Sequence, residues 1–400
     1  MSATEAVLRD ALAELAVAGE ILRARERASI ADSLAEAWEQ IADPERALGG
    51  LAREQIPATS QCTLPMVAWG LSSTLGNVRE ELAEMARRMQ PPAGTIASPA
   101  RLGVLILAGN VFTACVQSIS VALLSRVPTF VKASSSDDTL PRLFIEALSR
   151  VDPELATACF VLGMPRGTVG LEATVLHHAQ VVAAFGSDAT LASIRSRIGP
   201  NTAFVGHGHG LGLGFVSADA DVSTAARAFA LDVAAYDQRG CMSPHAIACE
   251  HGVDADGFAS ALAEALAAIS RDLPRGRLPT DVAAAQLQWR GVAVVRGELV
   301  EGSSFAVSSE GSVAPRVSPG WRNVMVFEVV DERAFCASAS AFGPHLKSVG
   351  VAGETQGIRR SLSAGVAPRV CHAGTMQTPG LLAYADGWPP WQGWRRFITD

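Results

Sequence analysis

Apolar positions in the first part of the chain recur at the spacing of amphipathic helices. The pattern runs from about residue 3 to 53 and again from 66 to 89, with a break near Asp43-Pro44. Residues 91–94, Pro-Pro-Ala-Gly, then form a turn signal. The first hundred residues are therefore predicted to be a helical lead-in.

Short apolar runs alternate with helical segments over the next hundred residues. The pattern predicts helices at about 112–124 and 140–151, and strands at 103–107, 129–132, 158–162 and 180–185. This alternation is typical of a parallel sheet covered by helices on both faces, where ligands bind beyond the carboxyl ends of the strands. Three residues sit at such predicted strand ends: Asn110, Lys132 and Gly186.

A glycine-rich segment at residues 206–214, Gly-His-Gly-His-Gly-Leu-Gly-Leu-Gly, indicates the boundary of a second α/β unit. Beyond it the pattern predicts helices at 224–236 and 257–269, strands at 292–295 and 324–330, and a proline- and tryptophan-rich tail. We therefore expect three regions: residues 1–206, residues 207–375 and a tail of residues 376–400.

Composition narrows the class of protein. The chain has 400 residues, 48% of them hydrophobic and 18% charged, so we expect two domains with a large core or a subunit interface. We expect no membrane span, because no apolar run has the necessary length. A net charge of −7 with scattered basic residues argues against a nucleic-acid partner. Glu5 and Asp10 replace the basic start of a secretory signal, so a cytoplasmic protein is expected.

The seven cysteines are odd in number, widely spread and free of C-x-x-C spacing, which argues against a disulfide framework or a zinc site. Cys241 stands out because it follows Gly240 and precedes Ser243-Pro244, where a helix is predicted to begin. A helix amino terminus stabilises a thiolate, so the position indicates a reactive cysteine. The alternative is a small buried apolar side chain, as most free cysteines are.

Residues 237–244, Asp-Gln-Arg-Gly-Cys-Met-Ser-Pro, resemble the D-Q-x-G-C-x-S-P signature of the LuxC-like acyl-CoA reductases, which belong to the aldehyde dehydrogenase superfamily. Further similar segments follow in order at 108–110, 131–134, 185–188, 345–350 and 374–387. The resemblance implies an α/β fold of the aldehyde-dehydrogenase type. Residues 1–206 would then include a Rossmann-type NAD(P)-binding domain, residues 207–375 an α/β catalytic domain, and the tail a candidate interface of a homo-oligomer.

The same resemblance implies NADPH-dependent reduction of an acyl thioester, carried by coenzyme A or a carrier protein, to an aldehyde. Cys241 would be the nucleophile that forms a thioacyl-enzyme. The side-chain amide of Asn110 and the backbone N–H of Cys241 would stabilise the oxyanion, although Asn110 by itself also fits an ordinary turn. Two alternatives stay open, namely an aldehyde dehydrogenase working in the oxidative direction and an inactive scaffold that binds a partner.

Lys132 resembles the lysine that binds the adenosine ribose in aldehyde dehydrogenases. Ser135 occupies the position of a glutamate found in many NAD-preferring members, so Lys132 with Ser134 and Ser135 is expected to accept a 2′-phosphate, which favours NADPH. Gly186-Ser187 resembles the turn that presents a helix amino terminus to the pyrophosphate. Glu328 is a weaker candidate for the nicotinamide ribose, because its neighbouring aromatic precedes it instead of following it.

The histidine-containing loop at residues 206–210 occupies the place of the E-L-G-G motif of hydrolytic aldehyde dehydrogenases, yet it contains no carboxylate. His207 or His209 could protonate the leaving thiolate or the aldehyde oxygen, or have a structural role instead. Without an adjacent cysteine or carboxylate, the two histidines do not predict a metal site. The loop also lacks the lysine that LuxC-like sequences often carry after G-H, and residues 381–384 replace a tryptophan-rich string, so a long acyl chain is not assumed.

Overall fold

The amino-terminal residues fold as the predicted helical lead-in. In the computed structural model, which describes residues 3–134, 137–164, 168–362 and 366–399, the helices α2 (Arg27–Ala42) and α3 (Ala47–Ser60) are separated at Asp43-Pro44. Trp38 of the lead-in stacks on Phe144 at a centroid distance of 3.9 Å, which ties these helices to the first sheet unit. The elements are α1 (Ala3–Ala24), α2 (Arg27–Ala42), α3 (Ala47–Ser60), α4 (Leu64–Leu75), α5 (Val78–Arg88) and the strand β1 (Ile96–Pro99).

Within the described residues, a five-stranded parallel sheet forms the first α/β unit. Its strands are β2 (Gly103–Ile106), β3 (Thr129–Ser134), β4 (Cys159–Met164), β5 (Val181–Phe185) and β6 (Ala203–His207), in the order β4-β3-β2-β5-β6. Its helices are α6 (Ala114–Leu124), α7 (Thr139–Val151), α8 (Pro153–Ala156), α9 (Val169–His178) and α10 (Asp188–Arg195). Strands β3 and β4 are added on one side of β2, whereas β5 and β6 are added on the other. The strand order thus reverses between β2 and β5, and a crevice for ligands is expected beyond the carboxyl ends of these two strands.

A seven-stranded sheet forms the second unit, again within the described residues. It has the order β13-β12-β7-β8-β11-β10-β9, and β9 is its antiparallel edge strand. The strands are β7 (Leu211–Val216), β8 (Pro244–Glu250), β9 (Glu298–Glu301), β10 (Ala306–Ser309), β11 (Asn323–Val329), β12 (Leu346–Ala352) and β13 (Arg369–His372). The final strand, β14 (Arg395–Ile398), returns to pair with β1.

Helices cover both faces of the second sheet. α11 (Val222–Ala234) and α12 (Ala255–Asp272) enclose one apolar cluster with the sheet, and α13 (Thr280–Arg296), α14 (Glu332–Ser340) and α15 (Gln356–Leu362) enclose another. Short 3-10 helices occupy Ala235–Gln238 and Gly343–His345. Within the described ranges, every helix is too short or too polar to cross a lipid bilayer.

One predicted strand is wrong, because residues 292–295 lie in α13 instead. This helix contacts the core through Trp289 and Ala293, which are one helical turn apart and buried. The valines at 294 and 295 face away and are 62% and 86% exposed. Packing of one face therefore outweighs the preference of β-branched residues for strands.

Candidate active site

Cys241 lies in the loop that leads into β8, a central strand of the second sheet. It is exposed, whereas the other six cysteines are buried. The backbone N–H of Gly212, at the start of β7, donates to the carbonyl oxygen of Ser243 at 2.8 Å. Cys241 thus stands at the amino-terminal edge of the seven-stranded sheet, next to the point where the chain arrives from the five-stranded sheet.

The helix predicted to begin at Ser243-Pro244 does not form, because residues from Pro244 onward belong to β8. This strand pairs with β7 on one side and with β11 on the other, and hydrogen bonds to two neighbours outweigh the local turn signal. The thiol of Cys241 therefore receives no stabilisation from a helix amino terminus, and its reactivity depends on side chains around it.

The three residues before Arg239 adopt an uncommon backbone conformation that buried side chains hold in place. Tyr236, Asp237 and Gln238 have φ values of 50°, 55° and 59°, in the left-handed region that costs roughly 1–2 kcal/mol for each residue with a Cβ. Asp237 accepts a 2.7 Å hydrogen bond from the guanidinium of Arg322, and both side chains are fully buried. The amide of Gln238 bonds to Pro244 and to both backbone groups of Asn323. These contacts fix the direction in which the loop presents Cys241.

Asn110 follows β2 and reaches the same loop from the first sheet. Its side-chain Nδ2 donates to the carbonyl oxygen of Arg239 at 3.0 Å, two residues before Cys241. An amide nitrogen carries two hydrogens, so the second remains available to an oxyanion. The guanidinium of Arg239 is bound elsewhere, to the carbonyl oxygen of Ser60 and the sulfur of Cys62. The structure therefore brings Asn110 to the cysteine loop, and its role at the oxyanion stays a prediction.

The Cys241 residue is exposed, but nearby protein atoms still reduce the hydration of its thiol. This partial burial raises the pKa of the Cys241 thiol above its ordinary value, the positive charge of Lys347 acts to lower it, and the negative charge of Asp386 acts to raise it. The Nζ atom of Lys347 lies 2.7 Å from Oδ1 of Asp386. Sequence reasoning placed both residues in segments similar to the LuxC-like proteins and gave neither a role.

His207 ends β6 and stacks on Phe185, with ring centroids 4.4 Å apart. Burial lowers the pKa of His207, so its imidazole is neutral near neutral pH and a poor proton donor. The negative charge of Asp386 acts to raise this pKa and the positive charge of Lys347 acts to lower it, as they do for Cys241. The side chain of His209 is exposed. His207 thus shares two charged neighbours with Cys241, and a role for either histidine in proton transfer stays a prediction.

Lys132 lies inside β3, not at its end, because the strand continues to Ser134. Its Nζ atom is 3.4 Å from a carboxylate oxygen of Glu172 in α9, and Arg197 binds the other oxygen of that carboxylate at 2.9 Å. Glu172 is 40 positions away in sequence, and no motif pointed to it. Ser134 lies beside Gly109 in the loop that follows β2.

Ser135 lies outside the described residues. Gly186 and Ser187 follow β5, and the Ser187 hydroxyl caps α10 by accepting a hydrogen bond from the backbone N–H of Thr190 at 3.2 Å. The free N–H groups at the start of this helix suit the phosphates of a dinucleotide. Gly186 and Ser187 thus lie at the amino terminus of α10, and their role in cofactor binding stays a prediction.

The predicted contact of Glu328 with the nicotinamide ribose is not supported by the structure. Glu328 lies near the carboxyl end of β11, in register with Cys249 of β8, and accepts a hydrogen bond from Ser312 at 3.0 Å. Cys241 precedes the amino end of β8, so Glu328 is at the opposite edge of the sheet from the thiol. The position of Glu328 in sequence suggested a ribose contact, but the parallel pairing of β8 with β11 places its carboxylate away from the crevice.

Among the described residues, no group of three or more His, Cys, Asp or Glu is arranged to hold a metal ion.

Two curated relatives are named long-chain acyl-protein thioester reductase. The one from Aliivibrio fischeri is 28% identical over 150 residues, covering 37% of this chain and 31% of the relative. The one from Photorhabdus laumondii subsp. laumondii is 27% identical over 192 residues, covering 47% and 40%. The matched segments thus span less than half of the length of these relatives.

Solved structures establish the fold. An NAD-dependent benzaldehyde dehydrogenase from Corynebacterium glutamicum superposes with a TM-score of 0.76 at 17% identity, covering 98% of this chain and 90% of the other. An NADP-dependent glyceraldehyde-3-phosphate dehydrogenase from Bacillus halodurans, solved with NADP, gives 0.75 at 15% identity, with 98% and 90% covered. The predicted aldehyde-dehydrogenase fold is confirmed. Because the model of the acyl-CoA reductase (LuxC) family matches residues 55–392, the chain belongs to that family.

Proposed function

We propose that this chain reduces an acyl thioester to an aldehyde, with Cys241 as the covalent nucleophile and NADPH as the hydride donor. The observation that carries the proposal is the exposed thiol of Cys241 on a loop to which Asn110 is hydrogen-bonded at 3.0 Å. The names of the two relatives support an acyl thioester as the substrate. A direct test supplies a panel of acyl thioesters with NADPH and measures aldehyde and oxidised cofactor, which are expected in equal amounts.

The first chemical step uses only residues of this chain. The Cys241 thiolate attacks the thioester carbonyl, and the negative charge that develops on oxygen is stabilised by the second amide hydrogen of Asn110 and the backbone N–H of Cys241. Collapse of this adduct breaks the bond to the carrier sulfur and leaves an acyl group on Cys241. Bound NADPH would supply the hydride that completes the reduction.

The loop at residues 206–210 supports a reductive outcome, because it offers no carboxylate that could activate water. We expect the thioacyl-enzyme to hydrolyse slowly, and His207→Glu to accelerate release of free acid by up to ~10²–10⁴-fold through general-base assistance. The measurement is acid released from pre-acylated protein without cofactor. His209→Glu provides a matched control, since the exposed position 209 should give a smaller increase.

The contrary outcome is a wild-type protein that already releases acid within one reductive turnover. In that case the oxidative alternative, an aldehyde dehydrogenase, would take precedence over the reductase.

The dinucleotide would be held by three residues, namely Lys132, Ser134 and Ser187 at the start of α10. Lys132 and Arg197 together carry two positive charges against the single carboxylate of Glu172, so the cluster has a net positive charge suited to a 2′-phosphate. That net charge favours NADPH and offsets the competition of Glu172 for Lys132.

We expect Glu172→Gln to strengthen NADPH binding by about 10-fold and to change NADH binding much less, because loss of a carboxylate beside the 2′-phosphate changes a charge-assisted contact worth ~1–3 kcal/mol. Ser135→Glu should act in the opposite direction. Binding is measured by fluorescence titration of the protein with each cofactor. Tighter binding of NADH than of NADPH by the wild-type protein would show that the cofactor assignment is wrong.

We also propose a cytoplasmic homo-oligomer with the three regions expected from the sequence. The tail, residues 376–400, supports an interface, because it exposes Tyr384, Trp388 and Ile398 at 51%, 59% and 60%. Light scattering of the purified chain is expected to give the mass of a dimer or a larger assembly.

A further inference from the structure

Lys347 and Asp386 form an ion pair that the proposed mechanism does not use. Lys347 lies at the start of β12, and only β7 separates β12 from β8, the strand that follows the Cys241 loop. Lys347 is the second residue of β12, and its side chain is 14% exposed. It lies across Gly210, where a Cβ would overlap the lysine side chain, so the close approach requires glycine. The ammonium is therefore held at the amino-terminal edge of the second sheet, the edge to which the Cys241 loop also belongs.

Asp386 reaches this edge from the carboxyl-terminal tail. Ala385 and Trp388 exchange two backbone hydrogen bonds, at 3.0 and 2.9 Å, around Asp386-Gly387. The φ values of 52° and 81° at these two central residues are those of a type I′ turn, for which Asp-Gly is a favoured sequence. The tail thus has a defined turn whose first central side chain meets Lys347.

The charged side chains that act on Cys241 come from two elements. β12 contributes Lys347 and the tail contributes Asp386. The same two charges act on His207 of β6, which burial keeps neutral. Arg239, in the cysteine loop itself, is engaged with Ser60 and Cys62. The balance between the ammonium and the carboxylate is therefore the main electrostatic influence on the thiol from side chains that the structure describes.

The type of cation at this position is unusual for the chain. Lys132 and Lys347 are the only lysines among 33 lysine and arginine residues, and every other basic position is arginine. An ammonium concentrates its charge on one nitrogen, whereas a guanidinium spreads it over a planar group. A compact charge acts more strongly on a neighbouring thiolate at equal distance.

We propose that Lys347 and Asp386 are positioning residues that jointly set the charge state of the Cys241 thiol, the ammonium favouring the thiolate and the carboxylate opposing it. Asp386 also holds the ammonium in place, so removing either residue breaks the same ion pair. The two removals nevertheless change the thiolate fraction of Cys241 in opposite directions. This inference rests on the proposed role of Cys241 as the nucleophile.

The test measures the rate at which iodoacetamide alkylates Cys241 in the full chain across a range of pH, followed by peptide mass spectrometry. Lys347→Met is expected to slow alkylation near neutral pH by roughly 3- to 10-fold and to move the profile to higher pH. Asp386→Asn is expected to accelerate it by a similar factor and to move the profile to lower pH. Opposite signs distinguish an electrostatic role from a structural one, because both substitutions remove the same 2.7 Å contact.

Two further variants complete the design. Arg46→Met removes an exposed cation of the helical lead-in and should leave the alkylation profile unchanged. Lys347→Arg keeps the charge on a more diffuse group, so its profile should lie between those of wild type and Lys347→Met. Profiles that shift in the same direction in Lys347→Met and Asp386→Asn, or that do not shift, would overturn the proposal. If Lys347→Met does not fold, Asp386→Asn decides alone, and an unchanged or higher-pH profile overturns it.

Alkylation reports the thiolate whether or not a thioester is a substrate. The two proposals can therefore fail separately. If the alkylation profiles of Lys347→Met and Asp386→Asn shift in opposite directions but no acyl group is transferred to the protein, the proposed function is contradicted and this inference is retained.

Discussion

Replacing Cys241 with alanine is expected to lower the rate of thioester reduction by ~10³-fold or more, because the covalent step then has no nucleophile. Binding of NADPH should be nearly unchanged, since the residues proposed to hold it lie on the first sheet. The measurement combines aldehyde formation under saturating thioester with a cofactor titration of the same preparation. Loss of both properties would indicate a folding defect instead of a missing nucleophile.

Cys249→Ala is the matched control for this substitution. Cys249 lies on β8, the strand that follows the Cys241 loop, but it is buried, and burial raises the pKa of its thiol to about 12. Its replacement is expected to reduce stability modestly and to retain reduction. A Cys249→Ala variant as inactive as Cys241→Ala, with its fold intact, would contradict the assignment of the nucleophile.

Replacing Arg322 with methionine is expected to lower the free energy of unfolding by ~3–5 kcal/mol, because it leaves the fully buried carboxylate of Asp237 without its charged partner. Asp237 would keep one hydrogen bond from the backbone of Gly276 at 2.9 Å. Urea denaturation gives the measurement. The loss is expected to extend to activity even at temperatures where the variant is folded, because Asp237 holds the left-handed residues that precede Cys241.

Arg46→Met serves as the comparison, since the Arg46–Glu36 pair is exposed on both sides and should contribute no more than ~1 kcal/mol. In the Arg322→Met background, Asp237→Asn should recover part of the lost stability by removing the buried charge. A loss below that of Arg46→Met would show that the buried pair does not support the loop.

The sequence was most informative where structure depends on neighbouring residues. Apolar runs alternating with helical segments predicted β2 to β5 of the first sheet and the helices α6 and α7, since burial on both faces leaves a continuous hydrophobic signal. The fifth strand, β6, was not predicted, because its residues are mostly half-buried and its end lies in the glycine-rich segment. The Gly240-Cys241 signature located the cysteine loop, and the end of β2 located Asn110. These features are encoded within short windows of sequence.

Sequence reasoning failed where long-range pairing decides the outcome. The strand after Cys241 forms because β7 and β11 are its neighbours, and they are brought there by distant parts of the chain. The register of β11 likewise removes Glu328 from the crevice. Two ion pairs join residues that are distant in sequence: Lys132 with Glu172, 40 positions apart, and Lys347 with Asp386, 39 positions apart. No local sequence pattern predicts either pair.

The most direct test of the central proposal is the mass of the intact protein after incubation with an acyl thioester in the absence of cofactor. Wild-type protein is expected to gain the mass of one acyl group, located on Cys241 by peptide mapping, and Cys241→Ala is expected to gain none. Thiol treatment should release the group, as for any thioester. Acylation of Cys241→Ala to the same extent as wild type, or no acylation of wild-type protein by any thioester that it reduces, would contradict covalent catalysis at Cys241.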